Sequence, residues 1–223
     1  MMNLVMNRKL LHERITEKED EMISIDPLNN SERDNYKLLI GSVIPRPIAF
    51  ITSLSEDGIL NGAPFSYFNV VSSNPPLISL SVQRKAGMMK DTARNIIGHR
   101  QFVVHTVDEQ NVEAVNETSA NLPHDESEID RGDFLHVHSE KIVVPGVRGA
   151  KIRMECVLEK HLELGSDGAV GCDHFIGKVV RFHVDKDIYD EGRIDPNALA
   201  AVSRLAGANY AKLGEIFEIE RPD

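Results

Sequence analysis

Apolar and polar positions alternate with a period of two through much of this chain. Between residues 77 and 82, Leu77, Ser79 and Ser81 fall on one side and Ile78, Leu80 and Val82 on the other, the pattern of a half-buried strand. Ile152, Met154, Cys156 and Leu158 alternate with Arg153, Glu155 and Glu159, and Leu162 and Leu164 keep that register. Gly165-Ser166-Asp167-Gly168 predicts a turn, after which residues 174–184 return as a strand antiparallel to the last. The apolar, β-branched run 48–53 leads into Ser55-Glu56-Asp57-Gly58, where Asp-Gly signals a hairpin, and 102–106 reads as another short strand. Helices are fewer. Residues 88–97 form one, closed by Gly98 as a C-terminal cap. Asp108 caps a second through Val115, and Asp195-Pro196 opens a third leading into 197–205. Helices inserted irregularly between strands argue against a doubly wound parallel sheet. The expected fold is mainly β, a closed or partly closed antiparallel barrel with a few inserted helices.

The length of 223 residues suits one β-rich domain with a sizeable core. With 35 acidic against 25 basic residues the formal net charge is -10, which disfavours nucleic acid and anionic membrane as general partners. No apolar run approaches membrane-spanning length. Residues 1–21 lack the features of a secretory signal, so a cytoplasmic location is expected. They read as a helical arm or an upstream extension, with the domain proper at 22–223. Cys156 and Cys172 have no metal spacing and read as reduced thiols. His136 and His138 would share a face of a strand but have no evident third ligand, so no metal site is expected.

No GxGxxG, Walker A, HExxH or GxSxG motif is present, so a dinucleotide-binding Rossmann domain and the usual hydrolase arrangements have no support. Two segments carry candidate chemistry. The first, 84–100, is locally basic, with Arg84, Lys85, Lys90, Arg94 and Arg100 against the single acid Asp91. Lys90-Asp91-Thr92 falls near a helix start, where free N–H groups and the dipole favour phosphate. Taken alone, this segment also reads as a solvated basic helix face. The second, Asn61-Gly62-Ala63-Pro64-Phe65-Ser66-Tyr67-Phe68, joins small residues that permit close backbone approach to a cluster of aromatics, in a chain with only 5% aromatic residues. It suits a flat ring such as a flavin, and equally a strand edge with core aromatics.

The order of motifs adds a resemblance. Pro45-Arg46-Pro47-Ile48-Ala49-Phe50-Ile51-Thr52-Ser53, Asp57-Gly58, residues 61–68, Ser73-Asn74-Pro75-Pro76, Lys90-Asp91-Thr92 and Asn95-Ile96 follow one another here. Then come Glu155-Cys156, Asp173-His174-Phe175-Ile176-Gly177-Lys178-Val179 and the tail Leu213-Gly214-Glu215-Ile216-Phe217, ending at Arg221-Pro222. In this order, from about Ile25 to its end, the chain resembles the flavin reductase-like family, including its flavoredoxin-like branch.

That resemblance implies an FMN-binding split barrel of Greek-key antiparallel type. It implies an NAD(P)H-dependent flavin reductase, with FMN and either NADH or NADPH, or alternatively an FMN-bound electron carrier. Thr52, Ser53, Lys90 and Thr92 would hold the phosphate, with Arg46 or Arg84 as further candidates. Ala63, Pro64, Phe65 and Ser66 would line the isoalloxazine, and Ser81, Val82 and Gln83 would close its other side. His174 would lie near the nicotinamide. The resemblance also implies a homodimer, with residues 206–217 reaching towards the partner; it leaves open whether an oxygenase is a further partner. Asp125-Glu126-Ser127-Glu128 stands where relatives carry an Asp-Glu-Phe-Glu type of stretch, so a different acceptor is expected.

Overall fold

The computed structural model describes residues 22–120, 122–123, 126–166 and 168–222. The arm 1–21, Asp125 of the divergent acidic stretch and Asp167 of the turn lie outside the described residues. Two compact units divide after Ser42. The described part of the first holds a short 3-10 turn and helix α1 (Glu32–Ser42). Everything below concerns the second.

Its frame is a seven-stranded antiparallel sheet in the order β3-β2-β6-β9-β10-β5-β4. A two-residue strand β1 (Arg46–Pro47) precedes it; the sheet strands are β2 (Ala49–Leu54), β3 (Leu60–Phe65), β4 (Phe68–Ser73), β5 (Pro76–Gln83) and β6 (Gln101–Thr106). After the small pair β7 (His136–Val137) and β8 (Gly146–Val147) come the long strands β9 (Ile152–Ser166) and β10 (Ala169–Val184). The edge strands β3 and β4 are joined by Ser66 and Tyr67 alone. Two residues reach less than about 11 Å between flanking Cα atoms, so the sheet must curl until its edges meet at that corner. The edges do not pair with each other; Ser81 N–H donates to Tyr67 O at 2.9 Å, which extends the β4–β5 ladder up to the corner. The result is a barrel left unclosed between β3 and β4, in keeping with the expected split barrel.

The alternating strands fill its interior. Ile78, Leu80 and Val82 of β5 are buried inside, with Ala49, Ile51, Phe102, Val104, Cys156 and Phe175. Gly177 belongs there because a Cβ would run into the Phe102 ring. Strand β2 reads as a continuous apolar run because both its faces are covered. Phe50, with Val103 of β6, packs outward against Ile129, Val144 and Val147. Glu155, 1% exposed, pins that cover by accepting the N–H groups of Glu140 and Lys141 at 2.7 Å each. Those two bonds and His183 hold its carboxyl below the usual range against the opposing cost of burial. Burial pushes the Cys156 thiol up, which suits an inert core cysteine.

The helices differ from expectation in their bounds. Helix α2 is Asp91–His99, starting three residues late because Lys85 and Met88 close a tight turn through Ala86 and Gly87, both at positive φ. It ends on Arg100 in the left-handed region, not on Gly98. Asp108 accepts the N–H groups of Gln110 and Asn111, a turn that precedes helix α3 (Val112–Glu117) instead of capping it. Asp195 does cap, accepting from Asn197 and Ala198, but helix α4 (Pro196–Leu199) stops where Ala200 turns left-handed. The rest of the expected helix is drawn into a sheet instead: Ser203–Arg204 pairs with β1 and with Tyr210–Ala211.

Candidate functional site

Strand β3 and the start of α2 converge on a cleft of about 410 Å³, within the ~300–1,000 Å³ usual for small-molecule sites. Ala63, Pro64, Phe65, Lys90 and Thr92, all singled out from the sequence, line it together with Lys85, Met89, Ser119 and Glu128. A second chamber of about 190 Å³ adjoins it, sharing Pro64, Phe65 and Ser119 and adding Ser66, Arg204 and Tyr210. The β3 segment thus forms a floor common to both.

One end of the cleft is positive. Lys90 Nζ lies 5.9 Å from the centroid of the Phe65 ring. No carboxylate among the described residues lies within ion-pair distance of Lys90 or Lys85. Partial desolvation, then the neighbouring Lys85, lower the Lys90 pKa, so an anion placed there would be favoured by both ammonium groups. No side chain caps α2, and within its first turn Ala93 N–H donates to Lys90 O at 3.0 Å. Arg94 is engaged otherwise, with the Asp91 carboxylate and with Met89 O.

Behind this end runs a buried polar chain. Thr92 Oγ1 donates to Asn61 Oδ1 at 2.8 Å, Ser53 Oγ donates to the same oxygen at 3.2 Å, and Asn95 Nδ2 donates to Ser53 Oγ at 3.3 Å. Asn61 Nδ2 donates to Glu128 at 2.7 Å. Desolvation raises the Glu128 pKa, against the hydrogen bonds it accepts. The Thr92 and Ser53 hydroxyls are therefore committed to Asn61, and Thr92 and Asn61 themselves line the cleft. Asn61 and Glu128 belong to segments marked from the sequence, but without the paired role they have here. Ser119, Arg204 and Tyr210 were not singled out, and no local pattern marks them, because segments remote in sequence bring them in.

The other expected residues lie elsewhere. Thr52 is fully buried and donates to Pro145 O at 2.7 Å. Arg46, 6% exposed, donates to Val43 O and to Leu205 O, the latter at 2.9 Å. Val82 belongs to the barrel core, and Gln83 pairs with Cys172 at the end of β5. Arg84 makes a two-pronged pair with the buried Asp173, at 2.8 Å for each contact, and also meets Glu163. His161 Nε2 lies 3.0 Å from the same carboxylate. Arg84→Ala is therefore expected to lower the thermal midpoint while leaving the ratio of FMN to riboflavin affinity unchanged; titration of both ligands checks this, and selective loss of FMN would return Arg84 to the phosphate.

His174 stands opposite Ser81 on the outer face of the sheet, and its Nδ1 shares a hydrogen bond of 2.7 Å with Ser81 Oγ. The neighbouring Asp173 points inward, as alternation requires, and does not orient the ring. Leu162 faces His174 from β9, and Leu162 and Leu164 remain 48% exposed on a sheet face that none of the described residues covers. Among the described residues no three or more His, Cys, Asp or Glu side chains converge on a metal position. No helix among them is long and apolar enough to cross a membrane.

Comparison with known proteins bears on the family and the fold. The sequence profile described as flavin reductase like domain matches residues 40–200. The protein YwrF of Bacillus subtilis is 52% identical over 195 residues, covering 86% of this chain and 95% of that one. Nitrilotriacetate monooxygenase component B from Bacillus cereus superposes with a TM-score of 0.88 at 58% identity, over 90% of this chain and all of the other. The 2-nitrobenzoate 2-nitroreductase NbaA of Pseudomonas fluorescens gives 0.81 at 31% identity, over 90% of this chain and 96% of its own.

Proposed function

The chain belongs to the flavin reductase-like family, and on that premise we propose that it binds FMN in the β3–α2 cleft and reduces it with NADH or NADPH. The observation that carries this reading is the pair Lys85 and Lys90, without acidic partners, at one end of a cleft floored by Ala63, Pro64 and Phe65. Lys90 and the first turn of α2 would take the phosphate. The β3 floor and Ser66 would lie along the ring, with backbone groups close to it because Ala63 and Pro64 are small. Bound FMN would supply hydride chemistry, so the protein needs to bind, orient and exclude water, not to carry a catalytic triad. The Bacillus cereus relative is by its name one component of a monooxygenase, which supports an oxygenase as the recipient of reduced flavin.

His174 lines neither chamber of its own chain. Its role at the nicotinamide is therefore assigned across a homodimer in which the uncovered sheet face, with Leu162 and Leu164, meets a second copy. A face of exposed apolar strand residues favours such pairing. Leu213, Ile216 and Phe217 of the extended C-terminal segment, all exposed, are further apolar surface for that contact. An imidazole at the nicotinamide would orient the donor carbon without proton transfer.

Anaerobic stopped-flow mixing of the FMN-loaded protein with NADH and with NADPH tests the reading. Bleaching of the flavin band by at least one is expected, and slower bleaching without FMN loss in His174→Ala. Bound flavin that neither nicotinamide bleaches would make the protein an electron carrier. Failure to bind flavin at all removes the proposal, and a monomer on sedimentation removes the role of His174.

A further inference from the structure

The second chamber holds a charge that flavin phosphate does not account for. Arg204 is fixed there on three sides. Its backbone pairs with Arg46 and with Tyr210, its guanidinium carbon lies 4.4 Å from the Tyr210 ring centroid, and one Nη donates to Gly207 O at 2.6 Å. Tyr210 is itself held, its hydroxyl donating to Asn116 Oδ1 at 3.0 Å. No carboxylate among the described residues pairs with Arg204. Glu113 and Glu117 border the neighbouring cavity that Arg204 also touches, yet neither comes within ion-pair distance. In a chain of net charge -10, an arginine held rigidly without an acid at the mouth of a cleft is a feature that calls for an anion.

The walls restrict which anion. The chamber is about 190 Å³, below the ~300 Å³ at which drug-sized ligand sites begin, so one ring with short substituents suffices to fill it. Pro64 and Phe65 give it apolar surface, while Ser66 and Asn116 add polar groups. The same Pro64 and Phe65 form the floor of the first chamber, so a ligand here would adjoin the flavin ring. A guanidinium offers two parallel N–H groups to a carboxylate, and an apolar wall offers surface to an aromatic ring. We infer that this chamber is a subsite for a monocyclic aromatic carboxylate, seated on Arg204 beside the flavin. The inference deepens the flavin reading above and rests on it for the ligand's position at the ring, though not for its recognition by Arg204.

Benzoate and uncharged benzamide, titrated calorimetrically into the FMN-saturated protein, test it. Benzoate binds more tightly than benzamide, and Arg204→Gln weakens benzoate by about ten-fold or more while moving benzamide less than about two-fold. A melting curve confirms that the variant is folded. If it is not, Arg204→Lys keeps the charge without the two-pronged geometry and weakens benzoate several-fold. Equal affinities for the two probes, no binding of benzoate, or unchanged benzoate affinity in the folded variant overturns the inference. Arg204-dependent benzoate binding by a protein that takes no FMN sinks the flavin reading instead and leaves the subsite standing.

Discussion

Replacing Lys90 by alanine is expected to weaken FMN binding by about 10- to 100-fold while leaving riboflavin within about two-fold. The two ligands differ only in the phosphate, so their ratio isolates the group that Lys90 would touch. The size follows from a charge-assisted hydrogen bond in a partly desolvated cleft, where the ammonium has no carboxylate to fall back on and Lys85 adds to the positive field. Thr92→Ala should discriminate between the two flavins less strongly, since the Thr92 hydroxyl already donates to Asn61. Flavin fluorescence quenching measures both affinities for the wild type and for each variant. Equal losses of FMN and riboflavin in Lys90→Ala would show that the phosphate lies elsewhere.

Stability should fall steadily from pH 6.5 towards acid, by about 1.4 kcal/mol per pH unit and about 2 kcal/mol by pH 5. The source is His105, fully buried between β2 and the β8 turn. Its Nδ1 bonds Phe50 O at 3.0 Å and its Nε2 accepts the Val147 N–H at 3.0 Å. The second bond needs an unprotonated nitrogen, which fixes the neutral ring with its proton on Nδ1. Burial above all, with Arg153 adding, lowers its pKa to about 3, against the bond to Phe50. The folded value lies below the unfolded one, so between the two the unfolded chain takes up a proton that the native state refuses. The contribution is complete above about pH 6.5 and is lost as pH falls. Glu155 and Asp173, held below the usual carboxylate range, add their losses only at more acid pH. Denaturant unfolding at pH 5.0 and 7.5 measures the difference. His105→Gln, which takes up no proton, should flatten the profile in this window whatever its own stability. A wild-type protein equally stable at both values would refute the assignment.

The reach of the sequence can be judged from particular elements. Period-two alternation at 77–82 and 152–158 gave the strands β5 and β9 and the faces they bury, because in a barrel with a dry interior each strand's pattern is set by which side meets the core; a bulge at Glu159 breaks the expected register and turns Leu162 and Leu164 to the exposed outer face. The apolar run 48–53 gave β2 for a different reason, since that strand is covered on both faces. Asp195 could be read as a cap because a side-chain oxygen and the N–H groups it accepts lie within three residues. Ala63, Pro64, Phe65 and Lys90 stood out because composition departs locally from the rest of the chain, and they line one cleft.

What failed to show in the sequence depends on contacts between remote segments. The chain past Leu199 carries helical residues but enters a strand, because pairing with Arg46 and Pro47 satisfies backbone groups that a longer helix would leave facing that edge. Arg84 carries the same charge as Lys90 and stands six residues away, yet it is bound to Asp173, 89 positions on. Thr52 and Ser53 sit beside a plausible phosphate motif but turn their hydroxyls to Pro145 and Asn61. Asn61 and Glu128 around one chamber, and Arg204 and Tyr210 around the adjoining one, come together only in the folded chain. Local propensity and periodicity therefore determined the strands and the face each one buries, since these follow from neighbours along the chain. The tertiary structure alone decided which charges stay without a partner and so remain available to a ligand, because an ion pair or a buried hydrogen bond forms with whatever residue the fold brings near.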